Sequence, residues 1–103
     1  MIVVFTQDYL SELYEKGSTS DKKHRFQPNV VRGYQKGINY LKVVNKIEDL
    51  LPIKSLNYEV LTGDKKGISS IRANDKYRIE FIVDKENEMI TVCNILELSN
   101  HYK

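Results

Sequence analysis

Hydrophobic positions along this chain keep two different rhythms, helical in the first half and alternating in the second. The opening run, MIVVF, is β-branched and apolar and predicts a buried strand. Tyr9, Leu10, Leu13 and Tyr14 then share one helical face. Thr6 is placed to cap that helix, Asp8 sits in its first turn, where a carboxylate favours the positive end of the dipole, and Gly17 suits the position just past its end. Ser18 to Phe26 is polar and basic and reads as a loop. Pro28 suits the first turn of a second helix. Val30, Val31, Tyr34, Ile38 and Leu41, followed by Val44, Ile47, Leu50 and Leu51, recur at steps of three and four. That pattern predicts one amphipathic helix of about six turns at ~3.6 residues per turn, stopped by Pro52. Gly33 and Gly37 weaken it by up to ~1 kcal/mol each relative to alanine, and their spacing permits close approach of a neighbouring helix.

After a connector over residues 53–66, which contains the turn-forming stretch Thr62-Gly63-Asp64-Lys65-Lys66-Gly67, the period becomes two. Ser69, Ile71 and Ala73 point one way, and Ser70, Arg72 and Asn74 the other. Asn74-Asp75-Lys76 is a hairpin turn signal. In the next strand Tyr77, Ile79, Phe81 and Val83 form the apolar set, with Arg78 and Glu80 opposite. Met89 to Leu98 is almost continuously apolar, which predicts a strand buried on both faces. The expected fold is α+β and a single domain over residues 1–103. Two helices from the N-terminal half pack on a small antiparallel sheet in the order βααβββ.

Composition adds limits. Hydrophobic residues make up 41% and charged residues 29%, as in ordinary soluble domains. The net charge of +2 does not by itself argue for nucleic acid. No segment approaches the ~20 apolar residues that span a bilayer, and the N-terminus lacks the features of a signal peptide, so a cytoplasmic protein with no membrane partner is expected. The single cysteine, Cys93, lies in an apolar run without metal-ligand spacing and is expected to be buried and inert. There is no Gly-rich phosphate loop, hydrolase triad order or metal cluster, and no cofactor is expected.

The chemistry therefore rests on the hairpin. Arg72 and Arg78 stand three residues either side of Asp75, so they should be neighbours across the ladder. Two adjacent guanidiniums suit a polyanion, because their planar donors match phosphate oxygens, or else they form surface pairs with Glu59, Glu80 or Glu97. Beyond the last strand come His101, Tyr102 and Lys103, which can move protons or stack on a base, or can simply form a solvated tail. His24, beside Lys22, Lys23 and Arg25, reads as solvated.

The segment Ser70-Ile71-Arg72-Ala73-Asn74-Asp75-Lys76-Tyr77-Arg78-Ile79-Glu80-Phe81 resembles the SIRxNxxYRIxF hairpin of HigB toxins in the RelE/ParE superfamily. Leu61-Thr62-Gly63-Asp64-Lys65-Lys66-Gly67 resembles the LxGDrxG stretch before it, and Glu97 to Lys103 resembles the family's tail. The resemblance covers nearly the whole chain. It implies a RelE-like fold and a type II toxin that cleaves messenger RNA on the translating ribosome, without a metal. It also implies a HigA-like helix-turn-helix antitoxin as partner, with operator DNA reached only through that antitoxin.

Carried over by residue, Arg72 and Arg78 would hold the scissile phosphate. His101, Tyr102 and Glu59 are the candidates for proton transfer. Lys65, Lys66, Lys76, Lys85 and Lys103 would contact RNA. Two departures stand out: Glu59 occupies the place of a histidine common in HigB toxins, and extra residues separate Glu97 from His101 in the tail. Two other readings share the fold: a ParE-like poison of DNA gyrase, and a degenerate toxin acting as an antitoxin-binding corepressor.

Overall fold

A computed structural model describes residues 1–100. Its main elements are β1 (Ile2–Phe5), α1 (Asp8–Lys16), α2 (Pro28–Val43), β2 (Glu59–Val60), β3 (Ser69–Arg72), β4 (Tyr77–Lys85) and β5 (Thr91–Asn100). The sheet order is β1-β5-β4-β3-β2. Both helices pack on one of its faces, so the chain is α+β as its periodicity predicts. The sheet, however, is mixed. β1 runs parallel to β5, with Val3 opposite Cys93, while the remaining pairs are antiparallel. The two-residue β2 adds an edge strand in the connector, where none was expected.

The core lies between the helices and the sheet. Leu10, Leu13, Tyr34, Ile38 and Leu41 meet Ile71, Ile79, Phe81, Cys93 and Ile95, all essentially without solvent contact. Gly33 and Gly37 serve this interface and not a helix–helix contact. A Cβ on Gly33 would lie 1.9 Å from the Ala73 carbonyl oxygen, and one on Gly37 would lie 2.5 Å from Ile79 Cδ1. Glycine lets α2 sit directly on the β3–β4 hairpin. At the end of α1, Gly17 takes the left-handed conformation (φ 76°) and its N–H bonds the Leu13 carbonyl, as a C-terminal cap requires.

Three local expectations are corrected. α2 stops at Val43 and not near Leu51, because Val44 is extended (ψ 153°). The Asn45 N–H turns instead to Asp49 Oδ2 at 3.2 Å, and Ile47–Leu50 continues as a 3-10 turn. Its three-residue repeat keeps Ile47 and Leu50 against the core, so apolar spacing cannot tell it from an α-helix. Thr6 does not cap α1. Gln7 holds that position, and Thr6 Oγ1 donates to the Ile95 carbonyl at 2.7 Å, prolonging the β1–β5 seam. Finally, the last strand begins at Thr91, and Met89 projects into solvent.

A bulge shapes β5. Glu80 faces Glu97 and Phe81 faces Ile95, leaving Leu96 as the extra residue. The extra residue lets Ile95 and Leu98 both point into the core, although three positions apart they would face oppositely in a regular strand. The continuous apolarity of this segment therefore reflects the bulge and not burial on both faces. Among the described residues no helix is long and apolar enough to cross a membrane.

Candidate active site

The face of the sheet turned away from the helices carries the charged side chains in two rows. Strand register aligns Glu59, Ser70, Glu80 and Glu97 across β2, β3, β4 and β5, and then Arg72, Arg78 and Ser99 across β3, β4 and β5. Alternation along each strand sends these residues to the same side.

Arg72 and Arg78 are direct partners across the β3–β4 ladder, yet their surroundings differ. Arg78 is only 5% exposed. Its Nε donates to Ser70 Oγ at 2.7 Å, and its Nη2 donates to the Asn57 carbonyl at 2.6 Å and to the Ser70 carbonyl at 3.2 Å. Glu59 Oε1 lies 3.8 Å from the same Nε. Burial pulls the Arg78 guanidinium below its ordinary pKa; Glu59 opposes that shift and Arg72 adds to it. A guanidinium with so high an intrinsic pKa stays charged, so this is a desolvated cation with a fixed orientation.

Arg72 is exposed. Its Nη2 pairs with Asp75 Oδ1 inside the hairpin turn, and its Nε donates to the Asn74 carbonyl at 3.3 Å. The turn is built by Asn74, whose Oδ1 accepts from the N–H groups of Lys76 and Tyr77. Among the described residues neither arginine hydrogen-bonds to Glu80 or Glu97. Arg72 takes Asp75 as partner, and Arg78 has Glu59 near its Nε.

Glu80 has a different cation. Its Oε2 accepts from Lys65 Nζ at 2.8 Å and from Ser99 Oγ at 2.6 Å, and the carboxylate is itself buried. Lys65 reaches it from the 3-10 turn Gly63–Lys65, and Glu97 Oε2 lies 4.0 Å from the same ammonium. The hydrogen bond to Glu80 raises the pKa of Lys65, against a smaller effect of burial. The face carries the cations Arg72, Arg78 and Lys65 beside the carboxylates Glu59, Glu80 and Glu97, and its buried groups are held by Ser70, Ser99 and the Asn57 carbonyl. Guanidinium and ammonium donors so placed have the geometry and charge to accept phosphate oxygens as ligands.

Comparison with known proteins assigns the family. A model of the RelE-like HigB toxins of type II toxin–antitoxin systems matches residues 3–95. The chain belongs to this family. The fold is also similar to that of a YoeB/ParE toxin from Agrobacterium tumefaciens, with 21% identity over 99% of this chain and 100% of that one and a TM-score of 0.55. No curated protein sequence matches the chain. As a HigB-like toxin the protein has a protein antitoxin for its partner.

Measured against the HigB expectation, the fold gathers Arg72, Arg78, Glu59 and Lys65 on one face, with Lys66 and Lys76 exposed in the flanking turns. Lys85 is not in that group. It pairs with Thr91 at the far end of β4, seven residues from Arg78, or about 23 Å at a rise of ~3.3 Å per residue. His101, Tyr102 and Lys103 lie outside the described residues. His24 is not merely solvated: its ring stacks on Tyr9 at 3.6 Å between centroids, and its Nδ1 lies 3.0 Å from Asp21 Oδ2. Ser70, Ser99, Asp75 and the Asn57 carbonyl were not singled out in the sequence. The serines belong to the polar sets of their strands, but a main-chain carbonyl leaves no mark in a sequence.

Proposed function

We propose that this HigB-like toxin is an endoribonuclease that cleaves messenger RNA on the translating ribosome. The observation that carries the reading is the in-register pair of Arg72 and Arg78 on the open sheet face, one exposed and one desolvated. The exposed arginine can leave Asp75 for a phosphate at little expense, since surface pairs are weak. The buried one presents its charge where water does not screen it.

In this mechanism the 2′-hydroxyl attacks the adjacent phosphorus. Its proton passes to a base, Glu59 or His101, as the new P–O bond forms. The bond to the 5′-oxygen breaks, and that oxygen takes a proton from Tyr102 or His101. The products are a 2′,3′-cyclic phosphate and a 5′-hydroxyl end. Arg72 and Arg78 offset the charge that builds on the equatorial oxygens. Lys66, Lys76 and Lys103 add salt-sensitive contacts to the strand, whereas Lys85, seven positions from Arg78, falls on the opposite side of the sheet by alternation and takes no part. DNA, which lacks the nucleophile, is not cut. The antitoxin is a HigA-like helix-turn-helix protein, and operator DNA is bound through it.

Purified toxin added to ribosomes programmed with a defined message should produce a fragment whose upstream product ends in a cyclic phosphate. An intact message, with gyrase-linked breaks in supercoiled DNA instead, would move the assignment to a gyrase poison on the same fold.

A further inference from the structure

Glu80 is a buried carboxylate on the one face of the sheet that the helices leave open. An anion beside two arginines would repel an incoming phosphate, so its presence calls for a reason. Its contacts supply one. Both hydrogen bonds to Oε2 hold it in place: Ser99 from the neighbouring strand, and Lys65 from the turn that folds over the sheet. A lysine ammonium on a four-carbon stem is ordinarily mobile, but here it is drawn to one point above β4. Glu80 and Arg78 are two residues apart on the same face, so their Cα atoms stand about 7 Å apart along the strand at ~3.4 Å per residue. Arg72 stands beside Arg78 on the next strand. Three cations thus line one face, and the third is held by its hydrogen bond to Glu80, with Glu97 Oε2 4.0 Å from the same ammonium.

We propose that Lys65 binds the RNA phosphate flanking the one held by Arg72 and Arg78, and that Glu80, locked by Ser99, is the positioning residue that fixes Lys65 for that task. The inference rests on the proposed nuclease reading for the identity of the strand, but it concerns binding and not bond cleavage. Because the flanking phosphate does not react, the Lys65 contact is equally strong in ground and transition states, and it acts on apparent affinity more than on turnover. Glu80 does not remove the positive charge. Its hydrogen bond raises the pKa of Lys65 and so favours the charged form.

The test uses the full-length toxin and a short single-stranded RNA made uncleavable by 2′-deoxy substitution at the reacting ribose. Lys65→Ala and Glu80→Gln are each expected to weaken binding three- to tenfold, and the double variant no further than Lys65→Ala alone. A Glu80→Gln protein that binds as wild type overturns the proposal. So does a double variant whose loss is the product of the two single losses, and so does a wild type that does not bind the RNA. The salt dependence of RNA binding gives a readout that a purely structural role would not move: Lys65→Ala should lower the slope of log K against log salt by about 0.7, the loss of one phosphate contact on a single strand, and an unchanged slope overturns the assignment. Should Glu80→Gln fail to fold, Ser99→Ala loosens the same carboxylate while keeping its charge. That variant should weaken RNA binding two- to threefold, and no loss overturns the proposal. If these binding results hold while wild-type toxin leaves ribosome-bound message intact, the nuclease reading falls and the Glu80–Lys65 assignment stands.

Discussion

Arg78 lies directly opposite Arg72 across the β3–β4 ladder, but only Arg78 is buried, with Ser70 and the Asn57 carbonyl taking its donors. The two should therefore fail differently. Arg72→Ala is expected to lower cleavage by about 10²–10³-fold, the usual loss for one transition-state donor. Its melting should move little, since the exposed pair with Asp75 contributes about 0–1 kcal/mol. Arg78→Ala is expected to lose activity to a similar degree and also about 1–3 kcal/mol of stability, because Ser70 and Asn57 are left without their partner. Urea denaturation beside a cleavage assay separates the two. Equal stability losses would mean that the burial difference has no energetic weight.

Gly33→Ala gives a sharp test of how α2 seats on the hairpin. Alanine is the better helix former by up to ~1 kcal/mol. Against that, the added methyl would meet the Ala73 carbonyl oxygen at 1.9 Å, a main-chain atom that cannot rotate away. The expected outcome is a net loss of about 1–3 kcal/mol, typical of overpacking. Gly37→Ala meets the Ile79 side-chain tip at 2.5 Å, and that tip can change rotamer, so the loss should be smaller. Denaturation midpoints of the two variants decide it, and a stabilised Gly33→Ala would contradict the packing described.

Cys93 should behave as a silent thiol. Burial pushes its pKa up to about 12, with the amino terminus opposing weakly. Alkylation at pH 8.5 is expected only through global opening, so the labelling rate should rise steeply with urea and be negligible without it. The stability consequence has a definite sign. Below ~8.5, the unfolded thiol's pKa, both states carry S–H and the contribution is complete. Between there and about 12 the unfolded chain ionises first, so stability falls as pH rises. Burial shifts Tyr9 and Tyr34 in the same upward direction, adding to this alkaline loss. Cys93→Ala should flatten the first part of that limb, and an unchanged slope would exclude the thiol as its source.

Much of this architecture is legible in the sequence, because strands announce themselves by alternation. The register of Arg72 against Arg78 follows from counting outward from the turn, and the structure has the same pairing. What escaped depends on tertiary contacts. MIVVF reads as a strand, but nothing local says that it runs parallel to a partner some ninety positions away. The false extension of α2 came from a three-residue step that 3-10 and α-helical turns share. The bulge at Leu96 passed for two-sided burial. The site was half legible: the arginines lie in a recognisable hairpin, whereas the Lys65–Glu80–Ser99 cluster forms only when a turn, β4 and β5 come together. His24 illustrates the converse, since a basic loop gives no hint that one of its rings will stack on Tyr9.

If this sheet face cuts messenger RNA, cells that make the protein should show it. The most direct measurement is to induce the wild-type protein and Arg72→Ala in cells without antitoxin and map transcript 5′ ends across translated regions. Growth arrest with new ends inside coding sequences is expected for the wild type, and neither for Arg72→Ala. Growth arrest with intact transcripts would contradict it.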